Sequence, residues 1–125
     1  MKRISSGSAF ELKIGYSRAV VDDRYVHISG TTGYNYATMS IDPDPVIQAE
    51  QCCQNIATVL HTAGSDFEHV VRVRYLFTDR ADFEACWPVL NRYFGEFPPT
   101  ATMMIVGLYD SAMELEIEVT ARLSS

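Results

Sequence analysis

No run of about 18 consecutive apolar residues occurs in this chain, so no transmembrane helix and no membrane partner are expected. Basic blocks are missing too. Ten Lys and Arg stand against sixteen Asp and Glu, a net charge of -6. A surface of that sign repels a phosphate polymer, so nucleic acid is not an expected partner. Cysteine is scarce and odd in number: Cys52 and Cys53 are adjacent, and Cys86 reads as a core residue. That is no disulfide framework, and it suits a reducing cytoplasm. The opening Met1-Lys2-Arg3-Ile4-Ser5-Ser6 has charge without an apolar core behind it and does not read as a signal peptide. His27, His61 and His69 are scattered, with no ligand spacing and no second cysteine pair, so no metal site is expected. Gly30-Thr31-Thr32-Gly33 lacks the lysine and the following helix of a phosphate loop. No cofactor is expected. Repeats, linkers and low-complexity segments are absent, and residues 1–125 read as one domain large enough to bury a core.

What is present is an alternating strand. In the segment Met113 to Ala121, Leu115, Ile117, Val119 and Ala121 share one face by the two-residue period, and Glu114, Glu116, Glu118 and Thr120 share the other. Like charges on one strand face repel unless they meet water, a cation or a polar cleft. Earlier, Arg18 to Val21 and Arg24 to Ser29 read as strands around an Asp22-Asp23 hairpin turn. Asp44 as N-cap and Pro45 at the first helical position start a helix over Val46 to Ala63, ended by Gly64. Val70 to Phe77 reads as a strand with Val71, Val73, Tyr75 and Phe77 on one face and Arg72 and Arg74 on the other. Thr78-Asp79 caps a helix from about Ala81 to Phe94, with Phe83, Trp87, Leu90 and Phe94 as its buried stripe and Pro88 bending or delaying it. Ala101 to Leu108 and Met113 to Arg122 are expected as a final hairpin of neighbouring strands. The order β-β-α-β-α-β-β, with room for an extra N-terminal strand, predicts an α+β two-layer sandwich: a mixed sheet of about six strands with two helices on one face. The other sheet face mixes Arg72, Arg74, Glu116 and Glu118 with Met104 and Val106. Such a face is often covered by another subunit.

Several pieces, in order, carry a resemblance over about residues 10–122. They are Tyr16-Ser17-Arg18-Ala19-Val20, Val26-His27-Ile28-Ser29-Gly30, Gln51 with Asn55-Ile56, and Leu60-His61-Thr62-Ala63-Gly64. Val70-Val71-Arg72-Val73, Thr78-Asp79 with Asp82-Phe83, Tyr93-Phe94 with Phe97-Pro98, and Glu116 to Ala121 follow. The chain resembles the RidA/YjgF/YER-type proteins, also called the L-PSP endoribonuclease family. The resemblance implies a chorismate-mutase-like fold and a homotrimer with a central β-barrel core and helices outside. It also implies intersubunit clefts that bind small carboxylates, and hydrolysis of enamines and imines to keto acids and ammonia.

By the same resemblance, Tyr16, Ser29 and Glu116 match cleft positions, with Glu116 positioning or activating water, and Gly30, next to Ser29 at a strand end where backbone N–H groups can face a ligand oxygen, joins them as a substrate-binding candidate. The family pattern after the proline is any residue, then Arg, then Ser or Thr. Here Pro98-Pro99-Thr100-Ala101 puts Thr100 at the arginine's place, and a hydroxyl cannot reproduce a bidentate, charge-assisted grip. Thr102 stands where a cysteine is common, and Trp87 where an asparagine is. Thr100, Thr102 and Arg74 are candidate substrate-binding residues. Arg74 is the nearby candidate for a substitute cation, or else the partner of a glutamate across the sheet. Glu116 is a base, or else a strand carboxylate satisfied by Arg72 or Arg74. Tyr34 and Tyr36 line the cleft mouth or simply cover the loop.

Three functions follow. The first is a hydrolase of small imine, enamine or related C–N substrates that is not the standard 2-aminoacrylate deaminase. The second is a noncatalytic small-molecule-binding or regulatory trimer. The third and weakest is an endoribonuclease. With no positive anchor left in the cleft, an ammonium or amide ligand is expected in preference to a free carboxylate.

Overall fold

The computed structural model of the chain describes residues 1–124. One six-stranded sheet carries the fold: β1 (Lys2–Ile4), β2 (Ala19–Asp22), β3 (Tyr25–Thr31), β4 (Val70–Phe77), β5 (Thr100–Ile105) and β6 (Leu115–Arg122). The spatial order is β1-β2-β3-β6-β4-β5. All neighbours are antiparallel except β4 and β5, which are parallel. Among the described residues four α-helices accompany the sheet: α1 (Ala9–Ile14), α2 (Pro45–Ala63), α3 (Arg80–Ala85) and α4 (Trp87–Phe94), with a short 3-10 turn at Phe67–His69. The expected α+β sandwich is the observed one.

The local reasons are mostly those the residues suggest. Asp44 caps α2 by accepting from the Val46 N–H at 2.8 Å, and Gly64 ends it in the left-handed region at φ 86°. Asp79 caps α3 by accepting from Ala81 N–H at 2.7 Å. The β2–β3 turn falls on Asp23-Arg24, one residue later than expected, because Asp22 pairs with Tyr25 and Asp23 takes φ 56°. The expected extra strand exists as β1. Helix α1 was not anticipated: it is short, capped by Ser8 and closed by Gly15 at φ 95°.

Two expectations are corrected. The last two strands are not neighbours, since β6 lies between β3 and β4 and β5 lies at the sheet edge. Burial explains the choice. Leu115, Ile117, Val119 and Ala121 are almost fully buried, and each large apolar side chain sealed there contributes about 1.5–3 kcal/mol. β5 instead returns from β4 through α3 and α4, a crossover that makes the pair parallel. The second expected helix is two, broken at Cys86 with Pro88 in the first turn of α4. The break turns Trp87 off the buried stripe, and it is 53% exposed, while Leu90 and Phe94 stay buried. A register shift between Val70 and Arg72 likewise pushes Val71 outward and makes Val70 the inward residue.

The core lies between the sheet and α2, α3 and α4. Among the described residues no layer covers the opposite sheet face. Cross-strand rows on that face read His27–Thr120–Arg72–Thr100, then Glu118–Arg74–Thr102, then Glu116–Leu76–Met104.

Candidate active site

β3 breaks register between Ile28 and Thr31, and this irregularity builds the site. There the Ser29 N–H donates to the Arg18 carbonyl at 2.9 Å, and the Ser29 hydroxyl donates to the Ser17 carbonyl at 2.7 Å. Ser29 therefore faces a ligand as an acceptor. Gly30 comes next, under Glu116 of β6. A Cβ on Gly30 would fall 1.8 Å from Glu116 Oε1, so only glycine lets the carboxylate lie against the backbone. Glu116 stands on the outward face of β6 because Leu115 and Ile117 take the inward one.

Tyr16 follows the end of α1, where both the Gly15 and the Tyr16 N–H donate to the Glu11 carbonyl. Tyr16, Arg18, Ser29, Gly30 and Glu116 line a cavity of about 340 Å³, with Tyr36 and Thr32 from the following loop. Phe10, Ile14 and Met113 supply its apolar wall. Burial pushes the Glu116 carboxyl above the ordinary glutamate range, the neighbouring Glu118 adds to the push, and Arg18 opposes it. Among the described residues no donor is hydrogen-bonded to the Glu116 carboxylate. Its oxygens are free for a water or a ligand, in a cavity of the size that holds a small metabolite.

The remaining sequence candidates lie elsewhere in the chain. Arg74 pairs with Glu118, Nη1 to Oε2 at 3.3 Å, as one of its two readings expected. It lines a separate concavity of about 320 Å³ with His27, Arg72 and Thr120. Thr102 is opposite Arg74 on the edge strand, and the Thr100 hydroxyl donates to the Val71 carbonyl at 2.8 Å. Both threonines are two strands away from β6, so within one chain they do not meet Glu116. The expected hairpin would have made them neighbours, and the crossover prevents it.

Sequence reasoning passed over Arg18 as a site residue. Its sequence context reads only as the start of a strand, yet it is 1% exposed and lines the same cavity as Glu116. The cavity is thus not without a cation. The available signal was a lone arginine flanked by the matched Tyr16-Ser17 and the apolar Ala19-Val20. Tyr36 lines the cavity, whereas the Tyr34 hydroxyl donates to Asp110 at 2.6 Å and pins the loop. The cysteines are buried. Burial pushes the Cys53 thiol up to about 12 and the Cys86 thiol up to about 11, leaving both unreactive. No helix among the described residues is long and apolar enough to cross a membrane.

A two-layer α+β domain with a half-buried carboxylate over a glycine at the sheet's open end is the class these features define. The chain belongs to the family described as Endoribonuclease L-PSP, whose pattern matches residues 7–123. It is 36% identical to the 2-iminobutanoate/2-iminopropanoate deaminase of Capra hircus over 97% of this chain and 90% of that protein. It is 35% identical to protein DfrA of Myxococcus xanthus over 96% of this chain and 94% of that protein. Among solved structures it superimposes on a Mycobacterium tuberculosis member of the YjgF family with TM-score 0.88 and 32% identity, covering 98% of both chains. RidA from an Antarctic Psychrobacter gives TM-score 0.88 and 28% identity, over 98% of this chain and all of that one.

Proposed function

We propose that the chain hydrolyses a small imine, enamine or related C–N compound in clefts between the subunits of a homotrimer. The observation that carries this reading is the Glu116 carboxylate: half-buried, bonded by no donor among the described residues, and laid against Gly30 beside Tyr16 and Ser29. An iminium nitrogen set against that carboxylate has its positive charge matched. Water held by Glu116 gives up a proton to it and adds to the iminium carbon, forming a carbinolamine. The proton then passes to the nitrogen, Glu116 takes the carbinol O–H proton as the C–N bond breaks, and the ketone leaves with ammonia, which carries that proton away from Glu116 as ammonium. The Ser29 oxygen accepts from the iminium N–H or from the water. Similarity to named imine deaminases supports this chemistry. RNA cleavage has little support, since among the described residues no His or Lys lines the cavity.

Trimer assembly is supported by surfaces that water suits poorly. The open sheet face is one. The other is the flank of β5, where Met103 and Trp87 are each 53% exposed and Ile105 44%, beside Phe83. A neighbour covering these surfaces would also carry its own Thr100 and Thr102 towards the Glu116 cavity. Light scattering should therefore return about three times 14.0 kDa at micromolar concentration. A stable monomer would refute the assembly.

Thr100, where the family pattern has arginine, favours a second reading in which the cleft binds a metabolite without turnover. The same residue supplies the test. Losing one charge-assisted anchor on a desolvated carboxylate costs about 2–5 kcal/mol, so Thr100→Arg should hydrolyse 2-aminoacrylate roughly 30-fold or more faster than the native chain. Ammonia release by neither protein, with a ligand still bound, would establish the noncatalytic reading.

A further inference from the structure

Two arginines of the chain are engaged by the fold itself. Arg18 Nε faces Glu11 Oε2 at 3.4 Å, and its Nη1 donates to the Gly30 carbonyl at 2.7 Å and to Thr31 Oγ1 at 3.2 Å. Arg92 Nη2 donates to Glu50 Oε2 at 2.6 Å. The two arginines of β4 are not engaged in that way. Arg74 gives only Nη1 to Glu118, and 3.3 Å is long for a bond between full charges. Its Nε is buried without an acceptor, the one side-chain nitrogen or oxygen so left among the described residues. An orphaned N–H of this kind is rare in a folded chain, and a missing ion is among the few things that account for it. Arg72 is exposed, and its guanidinium has no acceptor among the described residues.

Both arginines line one concavity of about 320 Å³ on the open sheet face, with His27, Glu118 and Thr120. Neither borders the Glu116 cavity. Strand geometry brings them together. Arg72 and Arg74 are two positions apart on β4, roughly 6.6 Å along the strand. The row His27–Thr120–Arg72 crosses three adjacent strands spaced about 4.8 Å apart. Two arginines against one glutamate leave this patch positive on a chain whose net charge is -6. The possible donors come from three directions: guanidinium groups from β4, an imidazole from β3 and a hydroxyl from β6. A carboxylate presents two oxygens in one plane and is satisfied by one arginine fork. A phosphate presents oxygens along tetrahedral directions and carries a second negative charge, which suits two arginines and a hydroxyl at once. A nucleic acid fits less well, because its neighbouring phosphates would meet the acidic remainder of the surface.

We infer that the concavity formed by His27, Arg72, Arg74 and Thr120 binds one small phosphate dianion, either inorganic phosphate or the phosphate group of a monoester. Arg72 supplies a free fork. Arg74 keeps Nη1 on Glu118 and gives its unbonded N–H groups to the anion. The site is independent of the chemistry proposed at Glu116. Where copies of the chain cover one another's open faces, each brings the same two arginines into the enclosed space, and a bound dianion offsets their repulsion.

The test titrates inorganic phosphate and methyl phosphate into the arginine-labelled native protein at constant ionic strength and about pH 8, where both are dianions. Acetate is the control. Both phosphates should move the Arg72 and Arg74 Nε–Hε NMR signals along saturating curves while the Arg18 and Arg92 signals stay put. Acetate should bind about 10-fold or more weakly than either. Arg72→Gln should weaken phosphate binding about 10–100-fold, the worth of a hydrogen bond to a charged group. Its melting temperature without phosphate should match that of the native chain, since the fold makes no use of this guanidinium. Tighter binding of inorganic phosphate would assign the free ion, and tighter binding of methyl phosphate a phosphorylated metabolite. Both results support the site. Shifts that do not saturate, acetate as strong as phosphate, or an unchanged phosphate affinity in Arg72→Gln would overturn it. A short oligonucleotide bound more tightly than either phosphate would overturn the small-ligand assignment.

Discussion

Glu116→Gln should lower imine hydrolysis by about 10²–10⁴-fold, the range in which a positioned general base contributes. The amide keeps the shape of the side chain against Gly30 but cannot take a proton from water. Substrate affinity should fall less than turnover, since the amide oxygen still accepts a hydrogen bond. Gly30→Ala is the companion test. Its new methyl group would collide with the end of the Glu116 side chain, which is flexible and can swing away. The fold should survive while the carboxylate is displaced, so turnover drops with little change in melting temperature. Normal turnover in both variants would remove Glu116 from the chemistry.

The pH dependence has a definite sign. Burial and Glu118 hold the Glu116 carboxyl above the ordinary glutamate range in the folded chain, against the pull of Arg18. A base works only when ionised. Turnover should therefore decline on acidification at a pH above that of an unperturbed glutamate, and carbon NMR of the Glu116 carboxyl should titrate at the same place.

Periodicity made most of the fold readable. Alternation in Leu115 to Ala121 and the Asp44-Pro45 start of α2 needed no tertiary information, because each is a local preference that the core then rewards. The strand order was not readable in the same way. Whether β5 pairs with β6 or with β4 depends on which strand buries more, and Thr100 to Ile105 carries no charge or turn signal that marks it as an edge. Val71 and Trp87 were misplaced for a related reason. One shifted residue or one helix break reverses which side of an element a position faces. Within the site, Tyr16, Ser29, Gly30 and Glu116 were legible through their motif spacing and come together in one cavity. Arg18 was not. Its role depends on contacts to Glu11, Gly30 and Thr31, seven to thirteen positions away, and nothing local announces that a strand-start arginine turns inward.

Glu11→Gln should destabilise the chain by about 3–5 kcal/mol, the cost of leaving one member of a buried ion pair uncompensated. Arg18 is 1% exposed, so little of its charge is hydrated when its counter-charge is removed. The same substitution also strips the Ser5 and Ser6 hydroxyls and the Ser6 N–H of a charged acceptor, which loosens the segment joining β1 to α1. Thermal denaturation should register a fall of about 10 °C or more for a domain of this size. Replacing both partners, as Glu11→Leu with Arg18→Met, should recover much of the loss, because no buried charge is then left unpaired. Acid sensitivity follows from the same pair. Burial works to raise the Glu11 carboxyl, but the hydrogen bonds from Ser6 and Ser5 and the charge of Arg18 outweigh it, and the net position is below the ordinary glutamate value. A carboxyl lowered by folding stabilises the native state at pH above its unfolded value, and that contribution is lost as pH falls through the folded one. The native chain should thus lose stability on acidification more steeply than the doubly replaced one. Equal acid profiles for the two, or a Glu11→Gln protein as stable as the native chain, would show that the pair is solvated and that Arg18 is not held as described.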